Sequence, residues 1–106
     1  MHFQKDKIFN ETINLIRLSK FDEAKKILLS FEQKFINDSL FYNLLGFVYD
    51  SLLHFSNAKP NYLKSLELDS NSYEAKFNLA VLYYKLKNYS QAEDLFNDLL
   101  VVYKKD

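Results

Sequence analysis

The sequence contains no cysteine, and it has only one glycine, Gly46, and one proline, Pro60, among 106 residues. Without cysteine there can be no disulfide, no thiolate metal site and no cysteine nucleophile. Repeated tight β-turns would need more glycine and proline, which argues against a β-sandwich or a β-barrel. A single glycine also excludes a glycine-rich phosphate-binding loop.

Neither sign of charge predominates, because fourteen Lys and Arg residues balance fourteen Asp and Glu residues. A neutral chain has no overall field that would attract nucleic acid or an anionic membrane surface. Long hydrophobic runs are also lacking, since the longest apolar stretch, 41–55, includes Asp50. This stretch is shorter than the roughly 20 residues that a transmembrane helix needs. We therefore expect no nucleic-acid partner and no direct membrane insertion.

Apolar residues are plentiful, at 48% of the chain, and aromatic residues reach 17%. This composition predicts a folded domain, because disordered chains have too few apolar side chains to offset the entropy of ordering. The N-terminal residues lead into no apolar segment of a signal peptide. The absence of cysteine is compatible with the cytosol. We expect a single domain, residues 1–106, in the cytoplasm.

Side chains of the same kind recur at one fixed interval along the chain. The recurring sets include Ala24, Ala58 and Ala92; Leu15, Tyr49 and Tyr83; and Ile13, Phe47 and Val81. A constant spacing of about 34 residues is typical of helical repeat proteins. Three units, about 5–38, 39–72 and 73–106, account for nearly the whole chain and leave no room for a separate catalytic domain.

The spacing and the residue types resemble the tetratricopeptide repeat, whose pattern is W-x2-L-G-x2-Y followed by A-x3-F. The middle unit matches best, with Tyr42-x2-Leu45-Gly46-x2-Tyr49 and then Ala58-x3-Tyr62. The third gives Lys76-x2-Leu79-Ala80-x2-Tyr83 and then Ala92-x3-Phe96, whereas the first has Glu11 and Thr12 at the expected Leu and small residue. The resemblance implies an all-α fold, a right-handed α-solenoid of three antiparallel helix pairs.

Helical spacing within each unit predicts six helices, near residues 4–18, 21–35, 39–53, 56–68, 72–86 and 89–103. Two pairs, Asn71 with Glu74 and Ser90 with Glu93, have the spacing of a capping box and predict where the last two helices start. Pro60 is tolerated in the first turn of a helix, so we expect the fourth helix to begin only a few residues before it.

The first helix of each pair carries more apolar residues than one packing face requires. A helix that is apolar on two faces is either enclosed or displays a binding surface, and apolar residues at helical spacing are more often core. In the family that the chain resembles, the first helices line a concave groove, which would bind an apolar or amphipathic peptide or helix here. The residues expected in this groove are Phe9, Ile13, Ile16, Arg17, Asn43, Leu44, Phe47, Phe77, Asn78, Val81, Tyr84 and Lys85.

Some members of that family hold acidic peptide C-termini with a clamp of Lys, Arg and Asn on the first helices. At the corresponding places this chain has Phe9, Ile13, Leu44, Glu74 and Asn78, so the basic residues are missing. We expect no binding of this kind.

The last predicted helix offers an alternative function. Arrays of this type require a covering element at each end. Four residues of the last helix, Leu99, Leu100, Val102 and Tyr103, would be partly covered by another helix in a longer array. The chain is then either a structural or assembly element that forms a homodimer through this helix, or a monomer that tolerates modest apolar exposure.

Groups that carry chemistry are sparse. The two histidines, His2 and His54, are far apart in the sequence, so no helix carries a histidine pair for a metal. Acidic pairs such as Asp22-Glu23 lie near predicted helix starts, where the helix dipole favours them. We predict no catalytic residue, no metal, no cofactor and no small-molecule substrate. The favoured function is that of a non-enzymatic module that binds a protein or peptide partner.

Overall fold

The computed structural model describes the backbone of residues 2–104 and the side chains of residues 4–101. All regular elements in the described chain are helices. They are α1 (His2–Arg17), α2 (Phe21–Ser30), α3 (Ser39–Ser51), α4 (Phe55–Leu68), α5 (Tyr73–Lys85) and α6 (Tyr89–Lys104). The predicted all-α fold is confirmed, and the predicted helix ends lie close to the observed ones, except at the end of α2.

Neighbouring helices pack as three pairs, α1 with α2, α3 with α4, and α5 with α6. The pairs stack on one another because α2 also packs on α3, and α4 packs on α5. One such pair cannot bury its own apolar face, so stacking supplies the core. No helix in the described part of the chain is long and apolar enough to cross a membrane.

The repeat interval also appears in the backbone of the turn inside each pair. The residues at these turns, Ser19, Leu53 and Lys87, all have left-handed φ angles, of 60°, 64° and 65°. The next N–H then bonds back to a carbonyl in the last turn of the helix, from Lys20 to Leu15, His54 to Tyr49 and Asn88 to Tyr83, at 2.8–2.9 Å. This is the Schellman arrangement, which satisfies carbonyls at a helix end. Each unit therefore repeats the same turn as well as the same side-chain pattern.

The segment after α2 departs from the prediction, because α2 ends at Ser30 and not near residue 35. The chain continues through separate turns, with the N–H of Phe35 bonded to the carbonyl of Phe31 at 3.2 Å. Phe35 is buried, and its ring centroid lies 5.3 Å from that of Phe9 in α1 and 5.9 Å from that of Phe41 in α3. The path of this segment, which links α2 to α3, is therefore set by the packing of the Phe35 ring between two helices and not by local helix propensity.

Asp38 and Ser72 cap the helices that begin the second and third pairs. The Oδ1 atom of Asp38 accepts from the N–H of Phe41 at 3.1 Å, and its Oδ2 atom pairs with Lys5 Nζ at 2.6 Å. Ser72 Oγ accepts from the N–H of Ala75 at 3.2 Å. Such caps supply partners for N–H groups that have no acceptor inside the helix.

Both capping predictions were wrong. The N–H of Asn71 bonds to Asp69 Oδ1 at 3.1 Å, which places Asn71 in a turn before α5 and leaves the cap to Ser72. The helix α6 begins at Tyr89, so Ser90 lies inside its first turn.

Pro60 also lies deeper than predicted, since α4 begins at Phe55 and continues through the proline. Proline has no N–H to donate to the carbonyl of Ser56, one turn earlier. Pro60 is exposed, so the helix continues past it with its ring on the solvent side.

Candidate functional site

Two side-chain hydrogen bonds join α3 to α5 along one face of the stack. Asn78 Nδ2 donates to Asn43 Oδ1 at 3.0 Å, and Lys85 Nζ donates to Asp50 Oδ1 at 2.9 Å. On each helix the two bonded residues lie about two helical turns apart. The bonds therefore hold the two helices in one register over that length.

Apolar side chains emerge between and beside these bonds. Phe47 lies between Asn43 and Asp50 on α3 and is 38% exposed, while Tyr84, next to Lys85 on α5, is 62% exposed. We call this surface the α3–α5 face. It consists of Leu40, Asn43, Leu44, Phe47, Phe77, Asn78, Val81, Tyr84 and Lys85.

The structure brings together the residues of the α3–α5 face. All of them except Leu40 were named as expected ligand contacts, and Leu40 was expected on the same apolar stripe as Leu44 and Phe47. Leu40 is exposed at the start of α3, and its i, i+4, i+7 spacing with Leu44 and Phe47 is the signal that identifies it. Leu44, Asn78 and Val81 are half-buried. On α1, Ile13 and Arg17 are exposed and Ile16 is half-buried, and this helix packs mainly on α2.

The prediction was wrong for Phe9, which is only 4% exposed. Its ring meets that of Phe35 edge to face, because the early end of α2 brings the linker across α1. Asn43 is also buried, and its carbonyl oxygen already accepts from Asn78. Neither side chain is available for the role of a free ligand contact.

Asp50 is the polar group that sequence reasoning missed on this surface. It is buried, with Oδ1 bonded to Lys85 and Oδ2 accepting from the Tyr62 hydroxyl at 3.1 Å. Burial, and then the negative charge and hydrogen bond of Asp50, raise the pKa of Tyr62 well above its ordinary value of 10.0. An acidic residue inside the apolar stretch 41–55 was the available signal. This bonding makes Asp50 a structural link between α3, α4 and α5.

The predicted self-association surface is only partly displayed. Leu99 is buried and cannot contribute, because its side chain faces the core, whereas Leu100 and Val101 are exposed. The side chains of Val102 and Tyr103 lie outside the described residues.

Acidic and histidine side chains do not gather into a metal-binding group anywhere among the described residues. His54 is exposed in the turn before α4, with its ring 6.3 Å from that of Tyr49.

Curated relatives share part of this sequence. The uncharacterized protein ycf37 of Porphyra purpurea is 38% identical over 63 residues, which cover 59% of this chain and 36% of that protein. Its counterpart in Pyropia yezoensis is 36% identical over 61 residues, which cover 58% of this chain and 34% of that protein. The matched segment thus spans about a third of the length of these relatives.

Solved structures share the fold. PcrH in complex with the chaperone binding region of PopD superposes with a TM-score of 0.87 at 20% identity, over 100% of this chain and 80% of that one. MamA from Desulfovibrio magneticus RS-1 superposes with a TM-score of 0.86 at 16% identity, over 93% of this chain and 56% of that one. The Yersinia enterocolitica translocator chaperone SycD gives 0.82 at 18% identity, over 91% and 75%. These likenesses confirm the α-solenoid.

A family model described as Tetratricopeptide repeat matches residues 54–106, which are half of the chain. This range contains the end of the turn and the second helix of the middle unit, together with the whole third unit. The repeated pattern is stronger here than in the first unit. The chain belongs to the tetratricopeptide repeat family.

Proposed function

We propose that this chain is a non-enzymatic protein-interaction module that binds an apolar or amphipathic segment of another protein. The segment lies on the α3–α5 face, with Ile13 and Arg17 of α1 extending the surface. The observation that carries the proposal is the exposure of apolar side chains along two helices that are bonded in register, namely Leu40, Phe47, Phe77 and Tyr84.

Burial of these side chains supplies the affinity. Fully burying one large apolar side chain contributes about 1.5–3 kcal/mol, and aromatic residues are frequent among the groups that dominate binding. The bonds Asn43–Asn78 and Asp50–Lys85 hold the surface before a ligand arrives. A preformed surface loses less entropy on binding.

The same bonds indicate which form of ligand fits. The main polar groups of the α3–α5 face are already paired with each other, so an extended ligand would find few partners for its backbone. A helix satisfies its own backbone hydrogen bonds. An amphipathic helix laid along the apolar side chains therefore suits this face better than an extended segment.

The fold relatives support this function without specifying the ligand. The PcrH structure contains the chaperone binding region of PopD, so an array of this shape holds a segment of another protein in that complex. The proposal requires no cofactor and no catalytic group. A cytoplasmic location remains a prediction.

Affinity capture with matched variants tests the proposal. Phe47→Glu places a charge at the centre of the α3–α5 face, and Leu29→Glu places one on α2 at a side chain of similar exposure, 41%. We expect proteins captured from the native lysate by the parent chain to be lost with Phe47→Glu and kept with Leu29→Glu, with both variants retaining parental helicity. Equal capture by the two variants would show that the α3–α5 face is not the binding surface.

Self-association through α6 is the second candidate, and the exposure of Leu100 and Val101 favours it. Light scattering over a range of concentrations separates the two functions. A mass that stays at 12.6 kDa would argue against self-association.

A further inference from the structure

A pocket of about 280 Å³ opens at the end of the stack, between α5 and α6. Its lining consists of three aromatic residues, one alanine and one acid: Tyr84, Tyr89, Phe96, Ala92 and Glu93. Apart from Tyr84, none of these residues belongs to the α3–α5 face.

These five positions have counterparts in the middle unit. Each lies one repeat interval after one of Asp50, Phe55, Ala58, Lys59 and Tyr62. We call the earlier set the second stacking surface and the pocket the third stacking surface. On the second surface, Ala58 and Tyr62 are fully buried in one cluster with Leu79 and Leu82 of α5.

The first unit shows the same covering. Ala24 and Leu28, which lie one repeat interval before Ala58 and Tyr62, are fully buried in a cluster with residues of α3 that include Phe41. A helix of the next unit therefore covers each of the first two surfaces. The third surface has alanine and a large apolar residue at the corresponding positions. Ala92 is already buried, whereas Phe96 is half-buried and lines the open pocket, so a further helix can pack there.

The charge on the third surface differs from that on the second. Lys59 of the second surface lies with its Nζ atom 5.4 Å from the ring centroid of Tyr83 in α5. The second surface therefore supplies a cation, and α5, the helix that covers it, supplies an aromatic ring. At the position of Lys59 the third surface has Glu93, and at that of Asp50 it has Tyr84. A helix that binds the third surface would thus contact a carboxylate and aromatic rings.

Two tyrosines of the pocket are arranged to receive a cation. The rings of Tyr84 and Tyr89 are 5.4 Å apart at 66°, and they are 62% and 55% exposed. Cations are attracted to the faces of aromatic rings. Among the side chains that the structure describes, Glu93 makes no ion pair, so its charge is available to a basic group.

We propose that the third stacking surface binds a helix of a partner protein that presents arginine or lysine beside an apolar face. The basic group lies against Tyr84 and Tyr89 and pairs with Glu93, while the apolar face packs on the half-buried ring of Phe96. Arginine fits best, because its planar guanidinium stacks on aromatic rings and forms two parallel bonds with a carboxylate. This surface shares Tyr84 with the α3–α5 face, so ligands bound at the two surfaces would meet at that residue.

Synthetic peptides with the α5 sequence, residues 73–85, provide the probe, because α5 is the helix that covers the equivalent surface. Tyr83 of α5 meets Lys59, so its counterpart in a bound peptide meets Glu93. We expect a peptide carrying Tyr83→Arg to bind the full chain about tenfold more tightly than one carrying Tyr83→Glu, measured by isothermal titration. Equal affinities, or binding by neither peptide at millimolar concentration, would overturn the proposal.

Neighbouring acids on α6 supply matched variants of the protein. Glu93→Gln and Asp94→Asn each remove one negative charge, but only Glu93 lines the pocket. The preference for the arginine peptide is expected to disappear with Glu93→Gln and to persist with Asp94→Asn, and equal effects of the two variants would refute the assigned site.

Two further outcomes distinguish this pocket from other binding surfaces. Phe47→Glu should leave the peptide preference unchanged, because it alters only the α3–α5 face; loss of the preference in this variant would place the peptide there instead. A concentration-dependent dimer in sedimentation that Tyr89→Lys disperses would show that a second copy occupies the pocket, which overturns the partner helix.

Discussion

Gly46→Ala tests how closely α3 and α4 approach each other. A Cβ atom at position 46 would lie 2.7 Å from Cδ1 and 2.8 Å from Cε1 of Tyr62. Real Cβ atoms do not come this near to a ring, so Tyr62 would have to move. The ring is fully buried, and its hydroxyl is bonded to Asp50, which also holds Lys85. Movement of Tyr62 therefore disturbs the link between α3, α4 and α5.

Two opposing effects set the change in the free energy of unfolding that Gly46→Ala causes. Alanine is favoured over glycine inside a helix by about 1 kcal/mol. Overpacking a well-filled core costs about 1–3 kcal/mol, and weakening the buried bond between Tyr62 and Asp50 costs about 1–3 kcal/mol more. The clash outweighs the propensity, and we expect Gly46→Ala to lower the free energy of unfolding by about 1–5 kcal/mol. For a domain of this size each kcal/mol corresponds to a fall in Tm of roughly 4–8 °C.

Urea unfolding followed by far-ultraviolet circular dichroism measures the effect. The third pair supplies a control, because Ala80 is the counterpart of Gly46 and already carries a Cβ atom in a buried position. Ala80→Gly should cost only the propensity difference and the lost methyl burial, about 1–2 kcal/mol. In a double-mutant cycle, Gly46→Ala should cost less in the background of Tyr62→Leu, where the ring is absent. If Gly46→Ala is as stable as the parent or more stable, the reasoning about close helix approach is refuted.

Two further predictions concern turns and caps, and the same unfolding measurement serves both. Leu53 has a left-handed φ of 64° and is 72% exposed, so Leu53→Gly should stabilise the fold by about 0.5–1 kcal/mol, since glycine adopts this conformation without a Cβ clash. Leu52→Gly, at a φ of −84°, should destabilise, and a loss of stability in both variants would contradict the explanation. Ser72→Ala should cost about 1 kcal/mol by removing the cap of α5, whereas Asn71→Ala should change stability by less than about 0.5 kcal/mol. A larger loss of stability with Asn71→Ala than with Ser72→Ala would show that Asn71 caps α5.

The first unit shows how a departure from the repeated pattern is accommodated. Thr12 stands where the other units have Gly46 and Ala80, and it is fully buried. Its hydroxyl donates to the carbonyl of Ile8 at 2.8 Å, one turn earlier in α1. The polar atom therefore has a partner, and the position is filled without an unsatisfied group.

Much of the architecture was predictable from the sequence, because helices and turns depend on neighbours along the chain. The repeat interval predicted six helices in three units, and the turns at Ser19, Leu53 and Lys87 recur with the same interval. The apolar stripe through Leu40, Leu44 and Phe47 was readable for the same reason, since residues at this spacing share one side of a helix.

What the tertiary structure decided is which of those side chains are covered. Phe9 and Phe47 were both expected in the groove, yet Phe35 buries Phe9, whereas Phe47 remains partly exposed. Asp50 acquires its role only when side chains arrive from two other helices. The open surface at Glu93 exists because no helix among the described residues covers it, although its counterparts in the first two units are covered. A repeat interval identifies equivalent positions, but burial and pairing depend on contacts between residues that are distant in the chain.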